Sequence, residues 1–528
     1  MSRRARIILG VLIATIVVAS IAVVLSIRAL EPRLHGWVTS TLRKSLDSEI
    51  ELGSVRLNWI PLRLHAERLT VRHRGRTDVP PLLVVSSFSV DLRPTDLWSS
   101  TVDHVKVDGL EVHIPPKDPD TGKRPFPSTG GSKSGNGSGS GSGVVVRRLT
   151  ATNARLAVVP REAGKNAKVW DIFELDMKNL RSSEPATFTA ALINPIPYGR
   201  IETQGTFGPW QSGEPGTSAL TGHYTFAADL GTIQGLGGKL DAAGLMSGTI
   251  EQISTTGDTK TPDFRLTELN GVSLPLQTSY EAVVDGTKGD VELKRVDITL
   301  GRSKLRARGL VEGTKGIKGK RVIVNVTSQT GNLGELLQFV SKAGPPPADG
   351  TLVIDAAFDL PQGKESVLSR VELEGSVRAE RVKFAKDSVQ DKIDELSRRG
   401  QGRPTDTSVD DVASRMATKF RLKDGVLTYR DLSFNVQGAS VKLDGTHSLR
   451  TKSVNLTGVV LLDATVSKTQ TGFRSWLLKP FDPLFRKNGA GTRLVITVAG
   501  TQDQPKIGLE VGKTLKGEPA GRPVGATR

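Results

Sequence analysis

The sequence predicts a mainly β protein behind an N-terminal transmembrane helix: a largely antiparallel sheet architecture with a few short helices. Three observations lead there. Residues 7–27, IILGVLIATIVVASIAVVLSI, are one unbroken apolar run. Period-two alternation of apolar and polar residues recurs along most of the remaining chain. Glycine is abundant, at 56 of 528 residues, and long stretches of helical periodicity are scarce.

The apolar run comes first. At about 1.5 Å per residue, a helix of this length crosses the roughly 30 Å hydrocarbon core. A cleavable signal peptide has a shorter apolar region and a small-x-small site. Here Ser26-Ile27-Arg28-Ala29 ends the run, so an uncleaved anchor is expected. Arg3, Arg4 and Arg6 favour a cytoplasmic tail over residues 1–6. Arg28, Arg33, Arg43 and Lys44 follow the span and weaken that bias. A short tail before a long body still suggests that the body is translocated.

After the span, Leu30, Leu34, Trp37, Val38, Leu42 and Leu46 fall on one face at helical spacing. Alternation then sets in over Ser54–Trp59, Leu62–Ala66, Phe88–Leu92, Val105–Val107 and Leu110–Ile114. Successive strand side chains point to opposite faces, so each is a half-buried strand. Ser128–Gly143, STGGSKSGNGSGSGSG, reads as a flexible loop whose ends average about 20–24 Å apart. Strand-like sequence resumes at Val144.

Further along, Leu352, Ile354, Ala356 and Phe358 share a face, as do Val371, Leu373, Gly375 and Val377 opposite Glu372 and Glu374. Val454, Leu456, Gly458 and Val460 repeat the pattern, then Leu494, Ile496 and Val498. Gly301-Arg302-Ser303, Asp285-Gly286-Thr287, Asp424-Gly425 and Asp444-Gly445 read as hairpin turns, which makes the sheet antiparallel. Ser388–Arg398 reads as a short charged helix, and Gln401–Asp410 as a polar break. Phe473–Phe485, FRSWLLKPFDPLF, is very apolar, but Pro480 and Pro483 predict two short turns rather than one rod. From Lys513 the chain is a glycine- and proline-rich tail.

Composition narrows the function. The chain has no cysteine, which excludes disulfides, thiolate metal sites and cysteine nucleophiles. A net charge of +17 attracts anions. A translocated body and only 5% aromatic residues argue against nucleic acid as the partner. The seven histidines, His35, His65, His73, His104, His113, His223 and His447, form no H-E-x-x-H or similar ligand motif. Gly313–Lys320, GTKGIKGK, lacks phosphate-loop spacing, and Arg321 replaces the hydroxyl residue. There is no G-x-S-x-G elbow and no dinucleotide fingerprint. No catalytic residue, metal ligand or cofactor is assigned, and the chain is not expected to be an enzyme. A pair of convergent carboxylates is the one arrangement that sequence leaves open.

The apolar strand faces admit two readings, filled sandwich cores or the lining of a long curled sheet that holds acyl chains. Periodicity does not separate them. In the second reading the lining candidates are Val322, Val324, Val326, Leu352, Ile354, Phe358, Val454, Leu456 and Val460. Phe473, Trp476, Leu477, Phe481 and Phe485 would close its end or touch a membrane, with Arg474 and Lys479 facing headgroups.

The chain resembles the AsmA-like family of inner-membrane-anchored envelope proteins. The likeness rests on the anchor, the amphipathic segment, Ile50–Leu57 (IELGSVRL), Leu69-Thr70-Val71, Pro81–Val85 and Val107–Val112 (VDGLEV). Thr261–Phe264 and Val284–Asp290 continue it, and Phe420–Leu427, Leu443–Leu449 and Ile496–Pro505 look like the family's C-terminal module. These are degenerate strand patterns spread over most of the chain. The resemblance implies a taco-like antiparallel groove that moves phospholipid between inner and outer membrane and supports outer-membrane biogenesis. It implies a single-pass inner-membrane protein with its body in the periplasm, and an outer-membrane or periplasmic protein partner. The division it suggests is an N-terminal module over 28–127, a linker loop over 128–143, a central groove over 144–400, a polar linker over 401–414, a C-terminal module over 415–512 and a tail over 513–528. The alternatives are an assembly factor for outer-membrane proteins that moves no lipid, and an enzyme acting on polysaccharide.

Overall fold

The computed structural model describes Gly36, Thr39 and residues 49–509, except 60–61, 73–80, 92–100, 115–144, 159–167, 182–183, 210, 212–214, 270, 315, 318, 341–344, 409, 470–490 and 502–503. The apolar run 7–27, most of the amphipathic segment, the glycine-serine stretch 128–143, Phe473–Phe485 and the tail lie outside the described residues. Among the described residues no helix is long and apolar enough to cross a membrane.

The described chain is mainly β, one long curled sheet of 25 strands. β1 (Glu49–Leu52) and β2 (Val55–Trp59) lie end to end along β3 (Leu62–Arg72), followed by β4 (Leu83–Asp91) and β5 (Thr101–Ile114). Next come β6 (Val145–Val158), β7 (Lys168–Leu180), β8 (Ala186–Pro195), β9 (Tyr198–Phe207) and β10 (Ala219–Asp229). β11 (Leu236–Gly237) and β12 (Lys239–Thr249) both pair with β13 (Gln252–Leu266). The order continues through β14 (Leu274–Val284), β15 (Val291–Leu300), β16 (Ser303–Glu312), β17 (Arg321–Asn332), β18 (Ala348–Leu360) and β19 (Glu372–Phe384). It ends with β20 (Ser414–Lys423), β21 (Val426–Val436), β22 (Ala439–Ser448), β23 (Ser453–Leu462), β24 (Thr492–Thr501) and β25 (Pro505–Leu509). At about 4.8 Å per strand the sheet is about 110 Å long.

Paired strands run antiparallel, as the turn signals predict, with one exception. β5 and β6 run parallel, Thr101 opposite Val145 and Val107 opposite Ala151. A parallel pair cannot be joined by a tight turn, because the chain must return the full length of the strand. That is why the long connection numbered 115–144 falls here.

Asp444-Gly445 is not a turn. Both residues lie inside β22, where Gly445 opposes Tyr429 and Leu456. A Cβ on Gly445 would sit 2.1 Å from the Asn455 carbonyl oxygen, so glycine here permits close strand approach. Bulges bend the strands further. Arg68, Asn153, Arg381 and Asp431 adopt left-handed backbone angles within strands.

Antiparallel order leaves strand ends on two rims. One rim carries α1 (Leu333–Val340) and α3 (Asp387–Gly400), and the opposite rim carries α2 (Val367–Arg370). Asn332 caps α1, accepting from the Glu335 amide at 2.8 Å. Leu333, Leu336 and Leu337 of α1 pack over Ala348, Leu352, Ala379 and Val382. Gln390, Asp394 and Ser397 of α3, one helical face, are buried. Asp394 accepts from the Val412 amide at 2.9 Å and from Gln390 Nε2 at 2.9 Å, and Ser397 donates to the Gln437 carbonyl at 2.8 Å. The charged helix is therefore pinned to the sheet through its polar residues.

Candidate functional site

Alternation gives the sheet two unlike faces. Along β10, β12 and β14 every second residue is exposed while the residues between are half-buried or buried. A curled sheet shields its inner side, so the less exposed face is assigned to the concave side, and cross-strand registers link it into rows that run the length of the sheet. One row begins Ala66–Phe88–Val107–Ala151–Leu175–Ala190. It continues Thr203–Tyr224–Gly244–Gly257–Tyr280. Val296–Ala307–Val326–Ala356–Gly375–Phe420 follows. Tyr429–Gly445–Leu456–Val498–Ile507 ends it at the last strand. Every strand from β3 to β25 contributes except the two-residue β11.

The nine lining candidates all lie on this face. Val324 opposes Phe358, and Val326 opposes Ala356. A parallel row carries Phe358 through Leu373, Leu422, Leu427 and His447 to Val454. Another joins Leu352 through Ala379, Met416, Phe434 and Val441 to Val460. The candidates divide by burial. Val322, Val324, Val326, Ile354, Phe358 and Val454 are half-buried, whereas Leu352, Leu456 and Val460 are 4%, 8% and 8% exposed. Phe473, Arg474, Trp476, Leu477, Lys479, Phe481 and Phe485 lie outside the described residues.

Among the described residues no second layer fills the curl. The largest fully buried side chains among the described residues are Val71, Val382 and Val495, with no Leu, Ile, Phe or Trp among them. Buried apolar clusters are small and local. One is at β1, β3 and β4, one is beneath α1, and one is at β22 and β23 beside Leu396 of α3.

Polar groups interrupt the concave face at one stretch. Tyr224 on β10 and Tyr280 on β14 reach toward each other over Gly244 and Gly257, and their hydroxyls hydrogen-bond. A Cβ on Gly244 would lie 2.7 Å from the Tyr224 hydroxyl, and one on Gly257 would lie 2.9 Å from the Tyr280 hydroxyl. Thr255 Oγ1 is 2.8 Å from the Tyr224 hydroxyl and donates to the Leu245 carbonyl at 3.0 Å. Thr259 and Thr278 pair through their hydroxyls at 2.8 Å. Desolvation, reinforced by Tyr224, pushes the Tyr280 phenol well up, and desolvation also raises that of Tyr429. Farther along, His447 Nε2 is buried without a hydrogen-bond partner among the described residues.

The rim that ends β10 and β13 reaches the opposite rim at α2. Glu268, on the β13–β14 connection, accepts from the Val367 and Leu368 amides of α2, both at 3.2 Å. Gln234 donates to the Glu365 carbonyl at 3.4 Å. These contacts join residues 99, 100 and 131 positions apart and strap one rim to the other.

The convex face carries charge. Cross-strand pairs such as Arg148–Asp176 at 2.9 Å and Arg321–Asp359 at 2.6 Å run along it. A concavity of about 780 Å³ spans β12 to β17 and is lined from both faces, by Asp241, Asp258, Lys260 and Arg306 of one and by Thr259 and Thr278 of the other. Among the described residues no three His, Asp or Glu side chains converge as metal ligands. The histidines are scattered; His104, for one, meets Thr150 Oγ1 at 2.9 Å.

Sequence reading missed Tyr224, Thr255, Tyr280, Glu268 and α2. A tyrosine at an apolar-face position beside glycine-bearing strands is a signal for the first group, but register alone reveals which glycines it crosses. No family model matches the chain, and neither a curated protein nor a solved structure matches it.

Proposed function

We propose that the curled sheet is a groove that binds phospholipid by its acyl chains and conducts it between inner and outer membrane. In this reading residues 7–27 anchor the chain in the inner membrane and the body occupies the periplasm, as the AsmA-like resemblance implies. One observation carries the proposal: a concave face about 110 Å long, apolar on both sides of the tyrosine stretch, that no second layer among the described residues covers. Apolar area of that extent is costly to leave in water, at about 25 cal/mol per Å². Acyl chains are the filling that suits an elongated, chemically uniform path.

The test is Val324→Asp in the full-length chain, with lipid measured by native mass spectrometry. Val324 is half-buried, so its carboxylate reaches water when the groove is empty. The expected result is a melting temperature within about 2 °C of the parent and a several-fold loss of co-purified phospholipid. A parent protein that carries no lipid, or a folded variant that carries as much as the parent, overturns the proposal. The first of these outcomes leaves the assembly-factor reading in its place.

A further inference from the structure

We infer that Tyr224, Thr255 and Tyr280 form a hydrogen-bond-accepting station for the headgroup of a lipid that passes beneath the Glu268 strap. The inference rests on the lipid-groove reading and deepens it. Along an open groove, acyl chains lie on the apolar floor and the headgroup stays outside in water. Where the rims are joined, at Glu268–Val367 and Gln234–Glu365, the headgroup has no outside route and must come within the curl. A headgroup drawn across a purely apolar wall loses its hydrogen bonds to water with nothing to replace them. The near foot of the strap, Gln234 after β10 and Glu268 after β13, stands on the strands where the floor ceases to be apolar, β10 to β14.

Proton counting gives the chemistry. The three hydroxyls carry three protons. Thr255 donates its proton to the Leu245 carbonyl, so its oxygen accepts from Tyr224. The Tyr224 proton is thereby used, and its oxygen accepts from Tyr280. All donors are spent, and what remains toward the lumen is lone pairs on half-buried phenol oxygens. Burial keeps the Tyr280 phenol neutral. A ligand matching this site must bring N–H or O–H donors. An ethanolamine or glycerol headgroup has them, and a trimethylammonium headgroup has none.

The experiment measures binding of three lipids with identical acyl chains to the full-length protein: phosphatidylethanolamine, phosphatidylglycerol and phosphatidylcholine. The parent is compared with Tyr224→Phe/Tyr280→Phe, which keeps both rings over the glycines. The parent should favour one or both donor-bearing lipids over phosphatidylcholine by about five- to tenfold, the effect of one to two net hydrogen bonds. Which of the two wins identifies the donor as ammonium or hydroxyl. The double variant should bind all three alike, at the phosphatidylcholine level. If its melting temperature falls, Tyr280→Phe alone should still reduce the preference. A parent that binds all three equally, or a variant that keeps the preference, overturns the station and leaves the groove standing. A parent that binds none overturns both.

Discussion

Val324 and Leu352 sit on the same face of neighbouring strands, yet a carboxylate should have opposite consequences at the two. Val324 looks into the open curl. Leu352 is 4% exposed beneath Leu333, Leu336 and Leu337 of α1. Leu352→Asp traps an unpaired charge in a packed cluster, a change in the class that costs about 4 kcal/mol or more. It should lower the melting temperature by several degrees and release α1, read as faster amide exchange over 333–340. A Leu352→Asp protein as stable as Val324→Asp would mean that α1 is not packed on the sheet. His104 gives a pH dependence. Burial is the main cause that lowers its pKa, with Lys106 and Arg148 adding to it. Its folded pKa lies below its unfolded one, so its contribution is present above about pH 6.5 and is lost as pH falls through the folded value. Thermal melts should drop as pH goes from 7 to 5, and His104→Gln should remove about 1–2 °C of that drop. An identical slope in the variant assigns the pH dependence elsewhere.

The β5–β6 pair makes the element-scale prediction. β5 has 14 residues, so the connection from Ile114 to Val145 has to span about 46 Å. Composition alone says that glycine and serine can be removed at little cost, since closure entropy changes slowly with length. Topology sets a floor. Removing 136–143 leaves ample contour and should leave the melting temperature unchanged. Removing 130–143 leaves 115–129 and 144, about 54 Å of extended chain, which is nearly taut. Removing 124–143 leaves about 34 Å, too little to span the strand. That deletion should break the parallel pairing, read as lost amide protection in β6. Normal protection there would mean that the pairing is not parallel. α3 illustrates the same dependence on context. Its sequence reads as a short charged helix, and the structure shows that Gln390, Asp394 and Ser397 are the residues that dock it.

The whole molecule is close to one-dimensional. Each strand pairs with its neighbours in the order of the sheet, and the buried clusters are local. Stability in such an array is a sum of nearest-neighbour terms, so unfolding spreads inward from the ends and from weak strands. Melting should be broad, and amide exchange should be graded rather than uniform. β25, with Ile507 at 75% exposure, should exchange fastest, and strands under the strap, from β13 to β18, should exchange slowest. A single sharp transition with equal protection in β25 and β17 would contradict nearest-neighbour stability.

By itself the sequence determined the β class, the antiparallel plan and the two-faced strands. These follow from local rules, namely side-chain alternation and turn chemistry at Gly301-Arg302-Ser303, Asp285-Gly286-Thr287 and Asp424-Gly425. It also placed Val324, Phe358, Leu456 and the other lining candidates on apolar faces, because period two is independent of what the face meets. Tertiary structure decided the rest. Alternation is the same for a sandwich core and for the lining of a curl, so only the joined sheet and its sparse burial distinguish them. A glycine such as Gly445 looks alike in a turn and in a strand until a partner backbone is seen 2.1 Å from where its Cβ would stand. Contacts between residues 56, 99 and 131 positions apart, as in the tyrosine pair and the rim strap, depend on strand order and curl, and no local pattern encodes them.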